Sequence, residues 1–221
     1  MKLNNYLVIL SGSLIINLVT AAQPTTNASK VQLEILLNRI GQHYDKYFTV
    51  ENASGVLEDE RVTVSGLPNT ADVFLRNVTN WPVNISSVLA DITNTIANTV
   101  IIQDVKNTNI LHIIDRRVFA VNKYALDEKL SAIKFEGTAE KFVTKISATV
   151  PNLKINNSGV VGASECLAAN FITRVSIDIA DVCVREALSL GNDLKGYHRI
   201  IWTASTSPQT GITRVKYEGP Q

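Results

Sequence analysis

The stretch Phe171–Ala204, FITRVSIDIADVCVREALSLGNDLKGYHRIIWTA, constrains the fold most, because it spells strand, helix and strand with the boundaries marked. Val175, Ile177 and Ile179 alternate with Ser176 and Asp178, the period of a strand with one buried face. Asp181 stands where a helix needs an N-cap. Val184, Ala187 and Leu188 then fall at helical spacing, which leaves Arg185 and Glu186 to point outward. Gly191 and Asn192 stop the helix, and Arg199–Ala204 is again strand-like, rich in β-preferring types. Ser205–Gly211 reads as a hairpin loop, after which Thr213, Val215 and Tyr217 alternate with Arg214 and Lys216.

The same pattern recurs upstream. Val83 and Ile85 read as a short strand, Ser86 or Ser87 as a cap, and Leu89, Ile92 and Ile96 as a helix face. Val100–Ile102 and Ile110–Ile114 follow as hairpin strands around a turn at Lys106–Asn109. A further copy starts at Ile133, with Gly137 and Thr138 as turn and cap. Phe142, Val143 and Ile146 form its helix stripe, Pro151 is the stop, and Leu153 and Ile155 begin the next strand. Before all of these, Val31–Tyr44 is an amphipathic helix built on Leu33, Leu36, Leu37, Ile40 and Tyr44, followed by strand candidates at Tyr47–Glu51 and Val62–Val64. Residues 65–82 carry mixed signals. The expected class is α+β: small βαβ-type units with short mixed sheets and helices packed on one face. Polar stretches at Arg117–Leu130 and Asn156–Ser164 are candidate linkers.

The amino terminus has the pattern of an export signal. Lys2 is followed by the apolar run Leu7–Val19 and by the small residues Thr20, Ala21 and Ala22, the order of a cleavable secretory peptide. The run is too short and too broken by Ser11, Gly12 and Ser13 for a membrane span of about 20 residues. The expected organisation is therefore 1–22 signal peptide, 23–30 flexible leader, 31–120 a first α+β unit and 121–221 a second, with no transmembrane segment after cleavage. Cleavage removes Lys2 and no acid, leaving 20 basic and 20 acidic residues. That balance argues against a nucleic-acid partner, which requires clustered cations; the largest such cluster, Arg116–Arg117, is only a pair.

Cys166 and Cys183 either pair in the oxidising space outside the cytoplasm, which would stabilise the chain by about 3 kcal/mol, or are both small core residues. Five N-x-S/T sequons begin at Asn27, Asn52, Asn77, Asn84 and Asn156, and would be glycosylation acceptors in a eukaryotic source. Of the three histidines, His43 ends the first helix, His112 lies inside ILHIID and His198 precedes a strand. No two are spaced as metal ligands, so no metal or other cofactor is expected. No G-x-S-x-G, G-x-G-x-x-G or P-loop occurs. Gly162-Ala163-Ser164-Glu165-Cys166 comes nearest to the first and lacks its second glycine. Trp81 beside Pro82 in a polar stretch is a candidate contact surface, and the edges of short sheets offer strand addition as a second route.

VSIDIADVCVREAL followed by RIIWTA resembles the short N-terminal (STN-like) domain shared by secretins and TonB-dependent transducers, and FEGTAEKFVTKI resembles a weaker copy of it. LLNRIGQHYDKYFTVE with LHIIDRR is similar to uncharacterised exported bacterial proteins. The resemblance implies a periplasmic or secreted, non-catalytic module that binds a protein in the cell envelope or outside the cell, and it carries over no catalytic residue. The competing expectation is a secreted hydrolase whose site is assembled from His43, His112 and acids such as Asp59, Asp104, Asp115 and Asp181.

Overall fold

In the computed structural model, residues 29–53, 57–65, 81, 84–156, 174–190 and 199–217 are described. The elements follow from their apolar periods. Leu33, Leu36, Leu37 and Ile40 form one buried stripe and make α1 (Leu33–Tyr44). Its first N–H finds an acceptor in the Glu60 carbonyl, since Gln32 supplies no side-chain cap. That carbonyl is brought there by β1 (Ser29–Gln32), which pairs antiparallel with β3 (Arg61–Val64). The helix expected from Val31 thus begins two residues later, and β1 opens inside the stretch read as leader. Between them runs β2 (Tyr47–Asn52).

The next helix, α2 (Ile85–Thr95), is capped by Asn84, whose side chain accepts from the Ser86 N–H. Ile85 is therefore helical rather than strand, and neither Ser86 nor Ser87 is the cap. The hairpin of β4 (Thr99–Gln103) and β5 (Ile110–Asp115) follows as the alternation predicts. Residues 117–130 are not a solvated linker. They form two short 3-10 turns that bury Val118, Val121, Tyr124, Ala125 and Leu126. A two-residue strand, β6 (Lys129–Leu130), leads into β7 (Ile133–Thr138).

Thr138 caps α3 (Ala139–Thr149), as its position predicts, and β8 (Leu153–Asn156) follows. β9 (Arg174–Ile179) pairs antiparallel with β7. Asp181 is not a cap: it takes a left-handed conformation with φ 54°. Val182–Cys183 then runs extended as β10, because β6 offers it a pairing partner. The helix, α4 (Val184–Leu190), starts only after it, and Cys183 lies in β10 rather than in the first helical turn. β11 (Ile200–Thr206) and β12 (Thr213–Tyr217) close the chain as a hairpin whose turn needs the positive φ of Gly211.

β6 and β10 apart, this order is one topology used twice: β-α-β-β-α-β-β from β1 to β5, and again from β7 to β12. In each half the first and third strands pair antiparallel. The last two form a hairpin, and the strand after the first helix joins that hairpin in parallel. The three copies suggested by the sequence mix first and second helices of these two larger repeats.

A parallel pairing of β2 with β11 fuses the halves into a mixed sheet of order β4-β5-β2-β11-β12-β8. Mixed sheet and helices together make an α+β fold. β2 and β8 hold the same place in each half yet run in opposite directions, and the helices follow suit. Phe48, Val50, Ile101, Leu111 and Ile113 face α1 and α2, whereas Ile110, Ile114, Trp202, Ala204 and Val215 face α3 and α4 on the other side. The first half of the sheet is thus covered on both faces. In the second half the far face carries exposed Lys154, Arg214 and Lys216.

Candidate functional site

The histidines and acids do not converge. His43, at the end of α1, stacks on Trp81 with ring centroids 5.8 Å apart, on the α1 side of the sheet. His112 is on the opposite face, in register with Thr49 of β2. There it forms a chain with the connectivity of a hydrolase triad. Its Nε2 donates to Asp104 Oδ2 at 3.2 Å, and in the neutral ring this leaves Nδ1 to accept from Thr49 Oγ1 at 2.8 Å. Burial decides what this chain can do. Thr49, His112 and Asp104 are 0, 1 and 3 % exposed, under the stacked ring of Trp202, so no substrate reaches the hydroxyl. The second Asp104 oxygen accepts from the N–H groups of Lys106 and Asn107. The chain thus ties β2 and β5 to the hairpin turn.

Asp115 caps the following 3-10 turn and takes the Arg117 guanidinium in a bidentate pair. Burial raises its pKa, but the Arg117 hydrogen bonds and charge outweigh that and hold it below the ordinary value. Asp59 accepts from Gln32 at 2.8 Å on the surface. Among the described residues no group of three His, Cys, Asp or Glu side chains is placed to hold a metal ion.

Among the described residues, the junction between the halves carries the most concentrated polar chemistry. Arg185, expected to point outward, is buried: its Nη2 donates to Glu51 Oε2 at 2.8 Å and its Nε to Oε1. Its Nη1 pairs with Asp127 at 2.7 Å, and Tyr124 Oη donates to Glu51 at 2.6 Å. Burial alone would lower the Arg185 pKa. Glu51 beside it prevails, so the guanidinium stays charged. Burial and the Glu51 charge together hold the Tyr124 phenol protonated. Geometrically, β2 is a strand added to the β11 edge, and its Glu51 side chain, in register with Ala204, is received by the second residue of α4.

The first half holds the counterpart of that receptor with no strand described in it. β4 occupies the place of β11 and α2 that of α4. β5 pairs with one side of β4, and no described strand pairs with the other. Between α2 and the β4–β5 hairpin lies a cleft of about 30 Å³ lined by Ser86, Leu89, Ala90 and Thr93 of the helix, Ile101 and Gln103 of β4, and Leu111 of β5. Ser86 is the second residue of its helix, as Arg185 is of α4. Where the junction has a cation, the cleft has a hydroxymethyl group. Its walls are otherwise mostly apolar, and half-exposed Ser86, Thr93 and Gln103 form its rim. Nothing in the periodicity marks this site; its signal is the topological repeat.

No family model, curated protein or solved structure matches this chain. No helix among the described residues is long and apolar enough to cross a membrane.

Trp81 is half-buried against the α1 core, and Pro82 is outside the described residues. Cys183 is half-buried, and burial pushes its thiol up to about 11. Cys166, His198 and the stretch Gly162–Cys166 are outside the described residues, as are the signal, most of the leader, residues 66–80 and all of the Asn156–Ser164 linker beyond Asn156 itself. Of the sequons, Asn27 and Asn77 are also outside. Asn52 is buried and accepts from the Leu57 N–H, and Asn84 is occupied as a helix cap. Asn156 is exposed at the end of β8.

Proposed function

We propose that this chain is an exported, non-catalytic interaction module of the bacterial cell envelope, periplasmic or secreted, that binds a protein partner there. The observation that carries the reading is the β4 edge beside the α2 cleft, the repeat counterpart of the β11 edge that β2 already occupies. Main-chain pairing at such an edge supplies affinity and the flanking pocket supplies selectivity. The apolar run Leu7–Val19 and the likeness to the short domain of secretins and TonB-dependent transducers support the envelope location. The hydrolase reading has the Thr49–His112–Asp104 chain in its favour. Burial keeps substrate from it, and His43 lies across the sheet.

Fractionation tests location directly. The full chain, expressed in a bacterial host, is expected in the periplasm or medium with a mass that starts at Gln23. Recovery only in the cytoplasm with residues 1–22 attached overturns the reading.

A further inference from the structure

We propose that the groove between α2 and β4 binds an extended segment of a partner protein, running parallel to β4, with a small aliphatic side chain seated in the cleft. This rests on the interaction-module reading and specifies its ligand. The internal junction supplies the template. β2 runs parallel to β11 from the pairing of Phe48 with Ile200 to that of Asn52 with Ser205, and a strand on β4 inherits that orientation from the repeat.

At the junction the side chain turned toward α4 is Glu51, because Arg185 awaits it. At the groove the equivalent helix position is Ser86, and the walls include Leu89, Ala90 and Ile101, so a buried carboxylate there would have no cation. An aliphatic group is the match. The volume of about 30 Å³ exceeds what a water needs and is far below the roughly 150 Å³ of a cavity that takes benzene, which excludes aromatic rings.

A second copy of this chain is a poorer occupant. β8, the repeat equivalent of β2, offers Lys154 in the phase that faces the cleft, and a lysine on an edge strand is a device against edge pairing.

The test uses capped hexapeptides of the β2 sequence YFTVEN with a solubilising lysine tail, in the native form and as Glu51→Val and Glu51→Phe. Titrated into the full mature chain and followed by amide NMR, the valine form is expected to shift Ser86, Thr93 and Val100–Gln103. It should bind at least about tenfold tighter than the glutamate or phenylalanine form. A nitroxide on the peptide amino terminus should broaden Thr99 more than Gln103. Ser86→Arg, which places a cation where α4 has one, should reverse the preference toward glutamate. Ala90→Leu, which fills the cleft, should abolish binding of all three.

Shifts confined to β8, no shifts with any peptide, an unchanged preference in Ser86→Arg, or dimerisation of the mature chain that the valine peptide reverses would each overturn the groove. The two readings fail separately. An exported chain that cross-links its partner from Arg214 but not from Gln103 sinks the groove alone, whereas a chain retained in the cytoplasm sinks the envelope reading and leaves the peptide result standing.

Discussion

Arg185 shows what a single side chain can hide. On the α4 wheel it lies about 60° from Leu188, at the flank of the apolar stripe, where periodicity permits either solvent or core. Its partner Glu51 lies 134 residues away, so no local pattern could name the pair. Neither the alternation of β2 nor the acids around it distinguish Glu51 from a solvated residue. The energetics follow from burial. A buried pair contributes little over an apolar replacement, but breaking it strands a charge. Arg185→Met is therefore expected to cost about 3–5 kcal/mol in urea denaturation. Adding Glu51→Leu and Tyr124→Phe, which removes the two remaining buried members at once, should recover most of that loss, because Asp127 is 43 % exposed and stays solvated, and no buried charge or hydroxyl is then left unpaired. A cost below about 1 kcal/mol for Arg185→Met would mean that water reaches the pair.

Elements were more legible than side chains. Both hairpins, the α1 stripe and the Thr138 cap could be read because their signals are local: alternation, helical spacing and capping chemistry. What escaped was decided by partners. β10 is extended because β6 pairs with it, and that pairing overrides the helical pattern expected to start at Asp181. The repeat of two helices per half escaped because it is a repeat of pairings, with little sequence likeness. Propensity and packing also oppose each other at Gly41 in α1. By propensity Gly41→Ala should gain about 1 kcal/mol. An added Cβ would lie 2.6 Å from Arg199 Cβ and 2.7 Å from the Lys46 carbonyl oxygen. Arg199 cannot yield, since its N–H donates to Asn38, its guanidinium reaches Asp45, and it stacks on Tyr47 at 4.6 Å. Overpacking of this kind costs about 1–3 kcal/mol. Gly41→Ala is thus expected to lower stability by up to about 2 kcal/mol, and a rise in melting temperature would contradict the close approach of α1 to β11.

For the molecule as a whole, the duplication raises the question of whether two halves mean two folding units. The sequence predicts a boundary between residues 120 and 121, and β5 ends at Asp115. The apolar material ignores that boundary. One buried cluster takes Ala53, Ile110, Ile114 and Val118 from the first half together with Phe142, Ile146, Leu188, Trp202 and Val215 from the second. Without α3 and α4, the sheet face bearing Thr49, Glu51 and His112 would lose its cover, and Glu51 its cation. Each half on its own is in the size range where burial barely offsets chain entropy. The full chain is therefore expected to unfold in one transition, with equal calorimetric and van't Hoff enthalpies. Amides of β4 at one end of the sheet and β12 near the other should exchange with the same global free energy. A protein cut after Ser131 should lack the sharp thermal transition of the whole. Two resolved transitions, or a cooperatively folded first half, would show that the β2 to β11 pairing docks two finished domains rather than completing one.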